Sequence, residues 1–198
     1  MDMNPTKNLN YWYMNKLFSK KVLSNVLFVI AIGLLLYPPT REWGMRQIAF
    51  APTIENTKNV ETLKSYNWDL KGLNIESVNF NEFENKVIFV NFWATWCPPC
   101  RAEMPMIQKL YNDYNDKVAF VFVTNEDWNI VKPFFDKNGY DLPVYNSLSS
   151  PLTNFTQTNS IPASYLIDKN GNILISKVGA ADWNSTKVRK LLDDLISK

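Results

Sequence analysis

Apolar and polar positions along residues 66–198 fall into short apolar runs and longer stretches of helical period. Val87 to Trp93 is one such run, rich in β-branched and aromatic residues and bounded by polar Glu84-Asn85-Lys86, and it reads as a buried strand. Val118 to Thr124 is a second buried strand and Pro143-Val144-Tyr145 a short third. Ala163–Ile167 and Asn172–Val178 flank Asp168-Lys169-Asn170-Gly171, a turn signal, and read as a hairpin. Helical stretches run from Pro98 to about Tyr114, from Trp128 to Lys137, and from Thr186 to Ser197. In the last, Val188, Leu191, Leu192 and Leu195 share a face. Pro105 and Pro133 lie inside the first two, where each removes a backbone bond and predicts a kink. Pro151 to Thr158 reads as a short helical turn, and Asn81 to Glu84 as the turn before the first buried strand. Strand–helix–strand–helix, then hairpin and helix, predicts an α/β domain with a mixed central sheet flanked by helices.

The N-terminal pattern differs. Val22 to Tyr37 is sixteen residues without a charge, preceded by Lys16, Lys20 and Lys21. As a helix it is about 24 Å long, against roughly 30 Å of bilayer hydrocarbon. Snorkelling of Lys20 and Lys21, with Trp12, Tyr13, Tyr37 and Trp43 at the interfaces, closes the gap. Charge changes the picture here only. Residues 1–46 hold six Lys/Arg and two Asp/Glu, and residues 47–198 hold fifteen and seventeen. The net charge of +2 therefore gives no argument for nucleic acid, while the basic flank orients the span with its N-terminus inside. The expected layout is a cytoplasmic segment (1–21), a transmembrane signal-anchor (22–37), a linker (38–65) and a domain (66–198) outside the cytoplasm. A cleaved signal peptide is the rival. Its small-x-small candidate, Ala49-Phe50-Ala51, lies about a dozen residues beyond the apolar run and is followed by Pro52. A buried soluble helix is the third reading; the clustered basic flank disfavours it.

The candidate chemistry sits at one join. The chain has two cysteines, Cys97 and Cys100, directly after the Val87–Trp93 run. Pro98 and Pro99 fit a first helical turn, so Cys97 falls at the helix N-terminus, where unpaired N–H groups and the macrodipole favour a thiolate. The thiolate is the attacking species in disulfide exchange, and Cys100 lies one turn on, placed to resolve a mixed disulfide. A purely structural disulfide closing so small a loop would stabilise by only about 2 kcal/mol. A metal site needs about four ligands, and there is no further Cys and no His. Haem attachment needs His where Arg101 stands. Redox Cys-x-x-Cys is the preferred reading, with no cofactor required.

Phe92-Trp93-Ala94-Thr95-Trp96-Cys97-Pro98-Pro99-Cys100-Arg101-Ala102-Glu103-Met104-Pro105 resembles the active-site signature of the thioredoxin superfamily, and more closely that of the membrane-anchored TlpA/ResA-like thiol–disulfide oxidoreductases. The resemblance covers roughly residues 66–198. It implies a thioredoxin fold, with Asn67–Asn74 in a small N-terminal β-hairpin extension. It implies that Ile161-Pro162 is a cis-proline step facing the cysteines, where residues alone would favour a trans proline opening an edge strand. Ala163-Ser164 departs from the Thr often found after that proline. Trp96, Pro98, Pro99, Ile161 and Pro162 are the implied substrate-binding residues, and Gly179 resembles a close-approach glycine near the site. Asn91 stands where thioredoxins proper carry a titrating Asp. Glu103 occupies the place of an active-site Glu, about 60° round the helix from Cys100, flanking the pair. Its expected role is to manage the proton of Cys100; the rival is a solvated helix Glu paired to Arg101 or Lys109. Trp93 and Trp96 are expected to pack, with Trp96 also shielding the thiols. Val90 and Ala94 occupy the Pro and Thr places of the peroxiredoxin pattern, which argues against peroxidase chemistry.

The implied activity is protein disulfide reduction outside the cytoplasm. Electrons would come from a membrane thiol transporter, and the substrate would be apocytochrome c or another exported protein. Rivals are a disulfide-forming oxidant of the same fold and a non-catalytic chaperone or metal carrier.

Overall fold

The computed structural model describes residues 20–37, 39, 40, 44, 50–54, 60–155 and 159–197. The chain divides into two units, 1–41 and 42–198.

In the first unit, helix α1 (Lys20–Leu36) covers nearly all of the predicted span. Leu27, Phe28, Val29 and Leu34 on it are exposed. At 17 residues it is about 26 Å long. Among the described residues no helix is long and apolar enough to cross a membrane. The predicted anchors Trp12, Tyr13 and Trp43, with Lys16 and Ala49, lie outside the described residues.

The second unit is built on a seven-stranded sheet: β1 (Asp69–Gly72), β2 (Val78–Asn79), β3 (Val87–Phe92), β4 (Val118–Val123), β5 (Val144–Ser147), β6 (Ala163–Ile167) and β7 (Ile173–Val178), in the order β2-β1-β5-β4-β3-β6-β7. β3, β4 and β5 are parallel neighbours; the pairs β3–β6, β6–β7, β1–β5 and β1–β2 are antiparallel. The predicted mixed sheet is thus present. β3 and β4 are continuous apolar runs because both of their faces are covered. Phe89, Phe120 and Phe122 point into one core with residues of α2 (Pro98–Tyr114), α3 (Trp128–Asn138) and α4 (Thr186–Ile196). Ile88, Val90, Val121 and Val123 point into the other, which is closed by Trp68, Phe80 and Phe155. That second face carries aromatic side chains where flanking helices were expected. Trp68 lies 5.9 Å from Phe92 and 5.7 Å from Phe155, centroid to centroid. α2 and α3 continue through Pro105 and Pro133.

Part of the expected linker is fastened to the domain. Leu63 and Pro52 are buried, and Ile54 packs against the helical core. Thr62 bridges Asn172, the Ile173 amide donates to Glu61 O (2.8 Å), and the Leu63 amide donates to Gly171 O (2.9 Å). Gly171 is required there: its φ is +81°, and a Cβ would lie 2.6 Å from the Tyr66 hydroxyl. Buried Asn154 donates to Glu61 Oε1 (2.5 Å) and Thr62 O (3.3 Å). Farther upstream, Phe50 O accepts from the Asp182 amide (3.1 Å) and Pro52 O from Lys187 Nζ (3.2 Å).

Candidate active site

The join after β3 has the predicted form. Cys97 is the N-cap of α2, in extended backbone, with Pro98 and Pro99 in the first turn. Its Sγ accepts from the Cys100 amide (3.3 Å), so the first sulfur meets the positive end of the helix. Cys97 and Cys100 form a disulfide, with Cα atoms 5.3 Å apart. Both are buried.

The loop that delivers Cys97 is held from β4. The Trp93 amide donates to Val123 O (3.0 Å). The Glu126 carboxylate accepts from both the amide and the hydroxyl of Thr95, each at 2.6 Å. Trp93 is buried and stacks on Phe135, with centroids 5.7 Å apart, as expected of a packing residue. Trp96 is not packed: it is 69% exposed, because the turn before the helix directs it outward.

The peptide bond Ile161–Pro162 is cis, as the resemblance implied. Pro162 O accepts from the Gly179 amide (2.8 Å), which ties this turn to the end of β7. Gly179 has φ +86° and nothing within 4 Å of a built Cβ. Its glycine is demanded by backbone sign, and among the described residues nothing crowds the place of a side chain there. The β3–β6 register sets Phe92 opposite Ala163, so Cys97 and Pro162 follow and precede paired residues at one end of the sheet. Trp96 and Ile161 line a common groove of about 560 Å³ with Phe92, Phe155, Asn159 and Glu126. Pro98, Pro99 and Pro162 do not line it.

Glu103 corrects the solvated reading. It is 1% exposed and turns inward, away from Arg101 and Lys109. Oε1 accepts from Asn91 Nδ2 (2.9 Å); Oε2 accepts from the Ala181 amide and from Trp183 Nε1, both at 3.1 Å. Asn91 also donates to Ser164 Oγ (2.8 Å). Burial pushes the carboxyl up to about 8, against the opposing pull of these donors and of Lys177. Among the described residues no group of three or more Cys, Asp or Glu side chains could hold a metal ion.

Sequence reasoning singled out Asn91 and Glu103, marked Ser164 only as part of a departure from the Thr after the proline, and missed Glu126 and Trp183. For Glu126 a signal existed: it follows β4 at the end of the sheet where Cys97 leaves β3. Nothing local marks Trp183.

A sulfur pair capping a helix, at the end of a mixed sheet and beside a cis-proline turn, defines a thioredoxin-like protein with a redox-type Cys pair. A family model described as Redoxin matches residues 51–195, and the chain belongs to that family. It is 32% identical over 113 residues to thiol-disulfide oxidoreductase ResA of Halalkalibacterium halodurans, covering 56% of this chain and 64% of that one. It is 27% identical over 164 residues to thioredoxin-like protein YneN of Bacillus subtilis, covering 81% and 91%. The chain thus spans under two thirds of the ResA relative's length and most of YneN. In three dimensions it resembles a DsbF homologue from Corynebacterium diphtheriae, with TM-score 0.57, 21% identity, and 73% and 93% of the two chains covered; this likeness concerns the fold. The TlpA/ResA-like resemblance of the signature holds.

Proposed function

We propose that the chain is a thiol–disulfide oxidoreductase that reduces disulfides of exported proteins. The observation that carries the reading is Cys97 as the cap of α2, with Cys100 as its disulfide partner. In the reducing direction the Cys97 thiolate attacks one substrate sulfur. A mixed disulfide forms and the first substrate thiolate leaves. Cys100 then gives its proton to Glu103 in its ionised form, the minor form at neutral pH and a growing one as pH rises toward about 8, and attacks Cys97 Sγ. The Cys97–Cys100 bond forms, and the second substrate sulfur leaves as a thiolate that takes a proton from water. Two electrons pass from the cysteine pair to the substrate. A membrane thiol transporter is the proposed electron source, and apocytochrome c the proposed kind of substrate.

The groove lined by Trp96 and Ile161 supports an extended peptide held beside the loop that leads to Cys97; Pro98, Pro99 and Pro162, outside the groove, are proposed as its further contacts. The exposed apolar surface of α1 and the lysines at its start support a membrane anchor with the domain on the outer side.

Insulin reduction by wild type, with Cys97→Ser as control, tests the activity. Turnover that vanishes in the variant is expected; no turnover by wild type would mean a binding module. The Cys97–Cys100 reduction potential tests direction: a value near −270 mV fits a reductase, and one near −120 mV an oxidant.

A further inference from the structure

The loop after β7 reaches back into the site through a residue that no sequence feature marked. Trp183 is fully buried, and its ring meets Phe89 of β3 edge-on with centroids 4.9 Å apart. This contact fixes the ring, and the indole N–H is directed at Glu103 Oε2 (3.1 Å). The Ala181 amide converges on the same oxygen. On the other oxygen, Asn91 Nδ2 donates at 2.9 Å, and its second hydrogen goes to Ser164.

Every one of these partners of Glu103 is a donor. An ionised carboxyl is acceptor-only and suits such a cradle, whereas a protonated one brings an O–H that neither the Ala181 amide nor the Trp183 indole can accept; only Asn91, by turning its amide, has an oxygen to offer. Burial favours the neutral acid, and the donors favour the carboxylate. The donors therefore set how readily the group takes or gives a proton. Among the charged groups, Lys177 of β7 acts on Glu103 from another element. Asn91 of β3 and Ser164 of β6 are neutral. Asp182 accepts from the Asn184 amide (3.1 Å) in its own turn, and Arg101 of α2 lies over the Phe134 ring. Cys97 and Cys100 are joined in the disulfide until reduction.

We infer that Trp183 is a positioning residue for the cysteine chemistry: its indole N–H holds the Glu103 carboxyl in place and sets the ease of proton exchange with Cys100. This rests on the role proposed above for Glu103. Trp183 is adapted to that task because an indole supplies a donor and no acceptor, so it discriminates between the two states of the acid.

The test uses the full chain. In the oxidised protein, the pH midpoint of the Glu103 carboxyl carbon resonance is followed in wild type and in Trp183→Phe, which keeps an aromatic ring and removes the N–H. Loss of one hydrogen bond to the ionised form should raise the midpoint by about half to one pH unit. In the wild type, the Trp183 indole N–H resonance should titrate with that same midpoint. This second reading does not depend on the variant folding. In the reduced protein, the pH profile of thiol alkylation should differ between wild type and Trp183→Phe, and the difference should vanish in a Glu103→Gln background. An unmoved carboxyl midpoint, a flat indole resonance, or an effect on the thiols that persists in the Glu103→Gln background overturns the inference. If Glu103→Gln alone leaves the thiol profile of wild type, the Glu103 role itself fails, while the carboxyl resonance still reports whether Trp183 holds the group.

Discussion

Glu103 is a carboxyl that the folded chain buries against its own hydration. Its usual value of 4.5 in the open chain becomes about 8 in the domain. Between those two values the folded state keeps a proton that the unfolded state has lost. The stability associated with this group is therefore full below the lower value and declines as pH rises through the higher one, by no more than about 5 kcal/mol. Glu103→Gln should flatten that decline, although the Gln amide fits the three donors less well and lowers stability at acid pH. Urea unfolding across the pH range checks this; parallel slopes in the two proteins would rule out the ionisation of Glu103 as the cause. Asn91 and Glu103 were legible in the sequence through the resemblance of the signature, which implies a site role at both places. The burial of Glu103 was not, because two of its three donors come from residues 181 and 183, and no helical arithmetic on α2 reaches them. Trp96 failed in the opposite sense. An aromatic beside the cysteines reads as packing, but its place in a tight turn decides its exposure.

At the scale of elements, β3 and β4 were legible because strands covered on both faces leave unbroken apolar runs. The cap of α2 was legible because two successive prolines suit a first turn, where no backbone hydrogen bond is lost. The covering of the second face was not, since Trp68, Phe80 and Phe155 come from three separate short segments with no shared period. The turn between β3 and α2 is likewise governed at long range, by Glu126 holding Thr95. Glu126→Ala should cost about 1–3 kcal/mol, because a half-buried amide and hydroxyl lose their acceptor. Thr95→Ala in that background should add less than it does in wild type. A double-mutant cycle on urea midpoints measures the coupling, and simple additivity would show that the contact does not hold the turn. Ser185 caps α4, its hydroxyl accepting from the Val188 amide (3.4 Å). Ser185→Ala should lower stability by about 1 kcal/mol, read as a fall in Tm with the cysteine chemistry unchanged.

For the whole molecule, the docked segment moves the effective edge of the domain. A fragment starting at residue 50 keeps the pairing of Glu61 and Leu63 with the β6–β7 turn, the grip of Asn154, and buried Pro52. One starting at residue 66 loses all of them and strips cover from Gly171 and Asn154. The shorter fragment should unfold at lower urea, by several kcal/mol for two buried side chains and their hydrogen bonds. Equal midpoints would show that the segment is held without stabilising the domain. The docking also has a mechanical meaning. Phe50 is the first described residue of the docked segment, and its carbonyl holds the Asp182 amide, between the two residues that grip Glu103. A load on this segment passes next to the β6–β7 turn and reaches β3, the strand that leads to Cys97, only afterwards. Tension should thus loosen the cradle of the acid while the sulfur pair stays seated, and single-molecule pulling from the N-terminus should give a first, small extension, as the contacts of Phe50, Pro52, Glu61 and Leu63 release before the sheet yields.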